Sequence, residues 1–506
     1  MKKYSLLTVI GAVAIVNLLA RLLGFFREVI IGYHFGTSVE ADGIITAYTI
    51  PNFLYITAGG AITTAFISLY TKGNDFQQRE LKGLIFTYTA IFFSIISVLF
   101  FVLPEFFISS FFRGLTAEET HLTSTLFRFM GLGTVFFVLS MYLSGLLNSH
   151  GKYQHSAWAP FLNNLLFVVI ALIGYPLFGI QAYSFGAFIG AVGMYFLVHK
   201  AVKSFHLFDF KWRLKGTDHA LVKRFFKISL PIFFGGATLQ FYFLVHRIFA
   251  SYLDAGILAA LNYASKLVQL PQTILMTAVT TVIYPFISRK IAEKDMNSLS
   301  KLYTNGLSYM LFLMVPVTMF ILFYSNELIK LVFEYGSFNA SSTKITGGLF
   351  MIFSVGMFAH AANVFITRFF YATEKPLIPV LSGIIAVFGV NIVIVVSFIN
   401  KAGAEAIAWG TTIAAYFQLV ILMIWTRKSL HIHLLKYTNV IKIFVLLLLL
   451  LPISWVTKQF TNTLEIKFIS IIIGTLVIGG SYLILAVLFK VKEVYQLPFV
   501  KRWLKI

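Results

Sequence analysis

Runs of about twenty apolar residues recur along nearly the whole chain, and they decide its fold class before any motif is read. A helix needs roughly 20 such residues to cross a bilayer. Fourteen segments of the 506-residue sequence qualify: 5–33, 43–70, 83–111, 122–147, 157–178, 182–199, 228–250, 256–287, 302–325, 345–367, 376–399, 403–426, 437–457 and 466–489. The stretches between them are short and polar, such as TKGNDFQQRELK and SRKIAEKDMNSLSK. Irregular backbone cannot face lipid, so the expected fold is an all-α integral membrane protein of fourteen transmembrane helices. Composition agrees. Hydrophobic residues make up 58% and charged residues only 12%, against about 25% charged in soluble domains. That excludes an ordinary cytosolic enzyme, a disordered chain and a nucleic-acid binder. With no cysteine, there is no disulfide framework, thiolate metal site or Cys nucleophile.

The net charge of +21 is explained by where the basic residues sit. With the N-terminus in the cytoplasm, 29 of the 40 Lys and Arg fall in cytoplasmic segments and 6 on the opposite side, while Arg21, Arg27, Arg128, Arg247 and Lys266 lie inside predicted helices. This bias orients the chain with both termini inside. Lys2 and Lys3 precede an apolar run, as in a signal peptide, but the helical pattern continues past Arg21 without a small-residue cleavage site.

Shifting the sequence by 220 residues brings Arg27 onto Arg247, Pro51 onto Pro271 and Phe66-Ile67-Ser68 onto Phe286-Ile287-Ser288, and Pro160 lies 219 before Pro379. The offset spans six helices, which predicts two parallel-repeat six-helix bundles, at 1–203 and 223–427. An appended two-helix hairpin with a basic cytoplasmic tail occupies 428–506, and an interfacial linker occupies 204–222. Two similar bundles with ionisable groups between them suggest a transporter that rocks about a central site.

Charges inside the bilayer are costly, roughly 2.5–3.5 kcal/mol each on insertion scales, so Arg21, Arg27 and Glu28 are expected to face a wet cavity or the bundle interior. Arg21 and Arg27 are separated by about 9 Å of helical rise, and Glu28 shares the face of Arg21. The guanidinium fork suits phosphate oxygens; a structural Arg–Glu pair or snorkelling is the other reading. Asp42, where the first outer loop enters the second helix, reads as an N-cap or as a gate salt bridge to an arginine of the facing bundle. Arg247 and Lys266 are the second bundle's buried cations. Together with the first helix they would form a cationic chamber for a polyanion such as a diphosphate. Arg128 reads as a snorkelling residue, His360 as a core histidine, and Gly59-Gly60-Ala61 as a close-packing motif. No catalytic carboxylate pair, nucleophile–base motif, metal constellation or nucleotide-binding motif is present, so neither enzyme chemistry, a cofactor nor ATP is expected.

The run RLLGFFREVIIGYHFG followed by EADGIITAYTIPNFL resembles the opening of the MurJ (MviN) family, the bacterial lipid II flippases. LNSHGKYQHSAWAPFLNN, LNYASKLVQLP, LVFEYGSF and RFFYATEKP agree with it in family order, so the resemblance covers nearly the whole chain. It implies a V-shaped pair of six-helix bundles in the bacterial cell membrane that moves undecaprenyl-diphosphate-linked saccharide-pentapeptide outward by alternating access. Arg21 and Arg27 match the family's first-helix arginines, thought to engage the pyrophosphate. Asp42 matches its acidic residue at the start of helix two, and Arg247 its helix-seven arginine. The resemblance leaves substrate binding to Arg21, Arg27, Arg247 and Lys266, and gating to Glu28, Asp42 and Gln269. The last hairpin would flank a groove for the lipid tail. The expected partners are lipid II and membrane lipids, with no nucleic acid, and the chain is expected to act as a monomer. Energy would come from the membrane potential or a monovalent cation gradient.

Two positions depart from the family pattern. Tyr55 stands where an arginine is frequent, and Gln269 replaces an acidic residue beside Lys266. Lys266 keeps the charge but loses the bidentate fork. These departures leave room for another polyprenyl-diphosphate glycan as cargo, of teichuronic, capsular or O-antigen type. A multidrug antiporter would prefer chamber carboxylates, and a membrane glycosyl- or acyltransferase would need catalytic carboxylates or a histidine near a membrane face.

Overall fold

The computed structural model describes residues 6–207, 219–236, 238–279, 283–432, 438–464 and 466–496. Most of the expected interfacial linker 204–222 lies outside these residues, as do Lys2, Lys3, Lys436, Lys501, Arg502 and Lys505. All regular structure among the described residues is helical. Ten helices among them are long and apolar enough to cross a membrane, eleven if the pair Ala340–Val355 and Met357–Ala372, bent by 42°, counts as one span. The chain forms two compact units, Met1–Ala259 and Ala260–Ile506.

The first unit begins with α1 (Leu6–Phe35) and α2 (Val39–Leu54), which passes through a π turn at Tyr55–Gly59 into α3 (Gly60–Tyr70). Then follow α4 (Asp75–Val102), α5 (Pro104–Phe111), α6 (Ala117–Leu132), α7 (Thr134–Ser149), α8 (Tyr153–Phe178) and α9 (Gln181–Ser204). After these come α10 (His219–Gly236) and α11 (Thr238–Ala250). Helix starts carry their own caps. Asn74 with Gln77 and Thr116 with Glu119 form reciprocal capping boxes at α4 and α6. Pro51 inside α2 cannot donate to the carbonyl one turn back, and the π turn a few residues later absorbs the break.

Lipid offers no hydrophobic drive between helices, so close packing must hold them. α9 lies tightly against α8: a Cβ added at Gly190 would stand 2.8 Å from the carbonyl oxygen of Asn163. α8 in turn packs along α1, α7 against α4 and α9, α6 against α2, and α10 along α3. The core is aromatic. Phe66 sits between Tyr70 and Tyr142 at ring distances of 5.0 and 4.9 Å, and the buried Tyr142 hydroxyl donates to the Lys82 carbonyl at 2.9 Å. At the far end of α1, His34 stacks on Tyr175 at 4.2 Å and shares a 2.6 Å hydrogen bond with the Tyr183 hydroxyl. That contact ties the helix end to α8 and α9.

The helix α12 (Ile257–Ala278) leads into the second unit, which contains α13 (Tyr284–Ala292), the long α14 (Met296–Phe333), α15 (Ala340–Val355), α16 (Met357–Ala372) and α17 (Leu377–Ile384). A π turn at Ile385–Asn391 precedes α18 (Ile392–Ala402), α19 (Ala404–Leu430), α20 (Thr438–Asn462) and α21 (Lys467–Leu488). This turn again follows a proline, Pro379. α14 leaves helical geometry at Tyr324 (φ −123°, ψ 18°), where the Tyr324 hydroxyl meets Thr461 at 2.8 Å. An ion pair between Lys458 and Glu327 fastens α20 to α14 beside it. At the other end of α14, buried Ser308 donates to buried Glu493 at 2.5 Å.

Candidate functional site

The ionisable residues of α1 and α2 are placed by helix geometry. Arg27 and Glu28 are chain neighbours, and their side chains join in an ion pair at 2.7 Å, 12% and 3% exposed. The sequence reading set Glu28 on the face of Arg21, but the carboxylate is satisfied by Arg27 and Arg21 stands exposed on α1. One turn of rise and a neighbour's long stem bring Arg27 closer than seven-residue face-sharing can bring Arg21. The Arg27 guanidinium also lies over the rings of Tyr48 and Phe167, at 4.7 and 5.1 Å. Stacked and paired, it presents a fixed planar fork of donors.

Arg247, from α11, reaches α2 and donates to Thr49 Oγ1 at 2.8 Å. Thr49 is buried and its hydroxyl is in turn donated to the Ile45 carbonyl, so the acceptor is oriented. Glu28, Arg27 and Tyr48 all lie within electrostatic reach of Arg247. The first unit therefore gathers two guanidiniums against one carboxylate, an arrangement with surplus positive charge in an apolar setting.

Asp42 is not the N-cap of α2. Ser38 holds that position, its Oγ accepting from the Ala41 N–H. Asp42 sits one turn inside the helix, and its carboxylate accepts the backbone N–H groups of Gly256 and Ala259, both at 2.6 Å. It thus caps the start of α12 instead, where orphan N–H groups and the helix dipole favour an anion. Gly256 is suited to this close seat: φ is +86°, and a Cβ there would stand 2.2 Å from the Thr37 carbonyl oxygen.

Lys266 and Gln269 are three residues apart on α12 and both half-buried in the second unit. Three of the site's groups were not singled out in the sequence. Thr49 carried a usable signal, since it stands seven residues after Asp42 and shares its helical face. Tyr48 and Phe167 carried none, because a ring's partnership with Arg27 depends on a packing that spacing does not reveal. Among the described residues no group of three His, Asp or Glu could hold a metal ion.

Long apolar helices with paired and stacked charges buried among them define a multi-pass membrane transporter. The chain belongs to the lipid II flippase MurJ family, whose model, described as "Lipid II flippase MurJ", matches residues 31–475. A probable lipid II flippase MurJ of Treponema pallidum is 27% identical over 479 residues, covering 91% of this chain and 90% of the relative. The lipid II flippase MurJ of Burkholderia cenocepacia is 26% identical, covering 79% of each. Among solved structures, a lipid II flippase MurJ in an inward closed conformation aligns with TM-score 0.82 at 24% identity, over 94% of this chain and 98% of that one. An inward-facing multidrug resistance MATE family transporter aligns with TM-score 0.69 at 13% identity, over 83% and 98%.

Proposed function

We propose that the chain translocates lipid II from the inner to the outer leaflet of the bacterial cytoplasmic membrane by alternating access. The observation that carries this reading is the family match over residues 31–475 together with the clustering of Arg27 and Arg247 around Glu28 and Thr49. A diphosphate needs bidentate donors held in advance of its arrival. Arg27, stacked and braced by Glu28, offers them. Arg21, exposed on the same helix, would meet the headgroup first, and Lys266 would add charge from α12. Asp42 would hold the start of α12 while the chain is in this state and release it when the bundles rock, and Gln269 would contribute to gating.

The architecture that serves this function is fourteen spans, arranged as six-helix bundles at 1–203 and 223–427 joined by an interfacial linker at 204–222, with a hairpin and basic tail at 428–506. The π turns support the repeat: α2 loosens after Pro51 at Tyr55–Gly59, and the helical register loosens after Pro271 at Val279. Both termini lie in the cytoplasm, as the charge bias requires. The chain works as a monomer without cofactor, nucleic acid or catalysis, and draws on the membrane potential or a monovalent cation gradient.

The decisive experiment is depletion in a host that depends on this gene. Lysis with lipid II accumulating on the inner face is the expected result. Survival with loss of capsule or another surface glycan would transfer the assignment to a related polyprenyl-diphosphate flippase, the reading that Tyr55 and Gln269 leave open. In proteoliposomes loaded with lipid II, collapsing the potential or the cation gradient should slow translocation.

A further inference from the structure

We infer that the end of α19 is a binding site for an anionic phospholipid, its phosphate held by Arg427, Lys428 and His431 and an acyl chain lying along the outer face of the helix. These three residues, with Ile424, line a hollow of about 470 Å³. None of the three forms an ion pair with a carboxylate among the described residues, so three cationic or proton-accepting groups converge without a protein anion between them. The nearest cation that does have work is Lys375, which donates to the Ser429 carbonyl and hydroxyl at 2.7 and 3.1 Å. It meets the demand of the helix C-terminus for positive charge and leaves Arg427 and Lys428 for an external anion.

The backbone holds His431 in this cluster. Its φ of +53° lies in the left-handed region, where a C-terminal glycine is usual and a histidine is disfavoured. Leu430 and Ile432 on either side are buried in one core cluster, so the turn cannot relax without unpacking both. The residue between them is exposed and stands beside the two basic side chains.

The rest of the helix face completes the ligand. Phe417, Val420 and Ile424 recur at helical spacing, and Arg427, Lys428 and His431 continue the same stripe. The three apolar residues are 38%, 55% and 47% exposed, as befits a lipid-facing surface. Trp425, also exposed, sits one residue from the basic pair, at the depth where indole rings favour the membrane–water interface. An apolar track that ends in an aromatic and then in unpaired cations matches the profile of a phospholipid whose headgroup is negative.

The test uses the full-length protein purified in a neutral detergent. Phosphatidylglycerol, phosphatidylcholine and inorganic phosphate are titrated separately, with lipid retention read by native mass spectrometry and Tm by thermal melting. Phosphatidylglycerol should be retained and should raise Tm, while phosphatidylcholine and phosphate should do neither. Arg427→Gln/Lys428→Gln should weaken phosphatidylglycerol retention roughly tenfold or more. Lys344→Gln/Lys401→Gln, which removes two exposed cations elsewhere in the second unit, should leave it unchanged. Val420→Trp should weaken retention with every charge in place by crowding the chain track. Wild-type retention in the Arg427/Lys428 variant or in Val420→Trp, equal loss in the Lys344/Lys401 control, or full protection by inorganic phosphate would each overturn the site.

Discussion

The Asp42 carboxylate of α2 accepts the backbone N–H of Gly256 at 2.6 Å, a contact between residues more than two hundred positions apart. With the second bond, from Ala259, it makes the start of α12 depend on one side chain. Replacing Asp42 with Asn removes the charge and turns an amide N–H₂ toward a backbone donor. The expected cost is about 1–2 kcal/mol, seen as a lower Tm. Amide hydrogen exchange at Gly256 and Ala259 should quicken in the same variant, and unchanged protection there would show that the cap is not what holds this helix start.

Gly256 faces a stricter demand. Alanine at φ +86° is strained, and its Cβ would press on the Thr37 carbonyl. We expect Gly256→Ala to destabilise by more than about 2 kcal/mol, whereas Gly60→Ala, with open space around its Cβ, should change Tm little. Equal Tm values in the two variants would contradict the close seat.

The Arg247–Thr49 bond can be isolated by a double-mutant cycle. Thr49→Val keeps the shape and removes the acceptor, and Arg247→Gln removes the donor. A coupling of about 1–3 kcal/mol is expected for a bond to a charged group, measured from the denaturation of both single variants and the pair. Strict additivity would mean that the two side chains touch without stabilising each other.

Arg27 combines an ion pair with two ring contacts, so charge alone should not replace it. Arg27→Lys should keep expression and fold yet lower translocation of lipid II by about tenfold or more, and Arg27→Ala should abolish it. By the same reasoning Lys266→Arg should be tolerated. A lysine at 27 with the full rate would remove the planar fork from the mechanism.

Asp295 caps α14, and hydrogen bonds from the Ser298 side chain and backbone, then Lys290, hold its carboxyl at about 2. A depressed acid stabilises the folded chain above the ordinary carboxylate range of roughly 4, and this contribution is lost as pH falls through the folded value. The start of α14 should therefore loosen between about pH 4 and pH 2. Exchange at the Ser298 amide should report this in the wild type, and Asp295→Asn should flatten the pH dependence.

Much of this was legible from residue order, for physical reasons that differ by element. The apolar runs were visible because a bilayer imposes a length on each helix, and Arg27 and Glu28 stood out because ionised groups there are expensive. The partner of Asp42 was not, since its bonds go to backbone N–H groups that every residue carries and only the fold can bring near. Tyr48 and Phe167 look like ordinary core aromatics until Arg27 is seen over them. The π turns were hidden as well: Pro51 and Pro379 announce a disturbance, but whether the helix kinks, breaks or widens depends on its neighbours.

The widened turn at Tyr55–Gly59 amounts to one surplus residue spliced into a continuous rod. Each residue of an α-helix advances the azimuth by about 100°, so deleting one position from this turn would spin the whole of α3 by that amount. Thr63 would lose its 2.9 Å bond to the Met141 carbonyl, and Phe66 would swing off Tyr142 toward lipid. An insertion of that kind, once packed against, becomes irreversible by single steps.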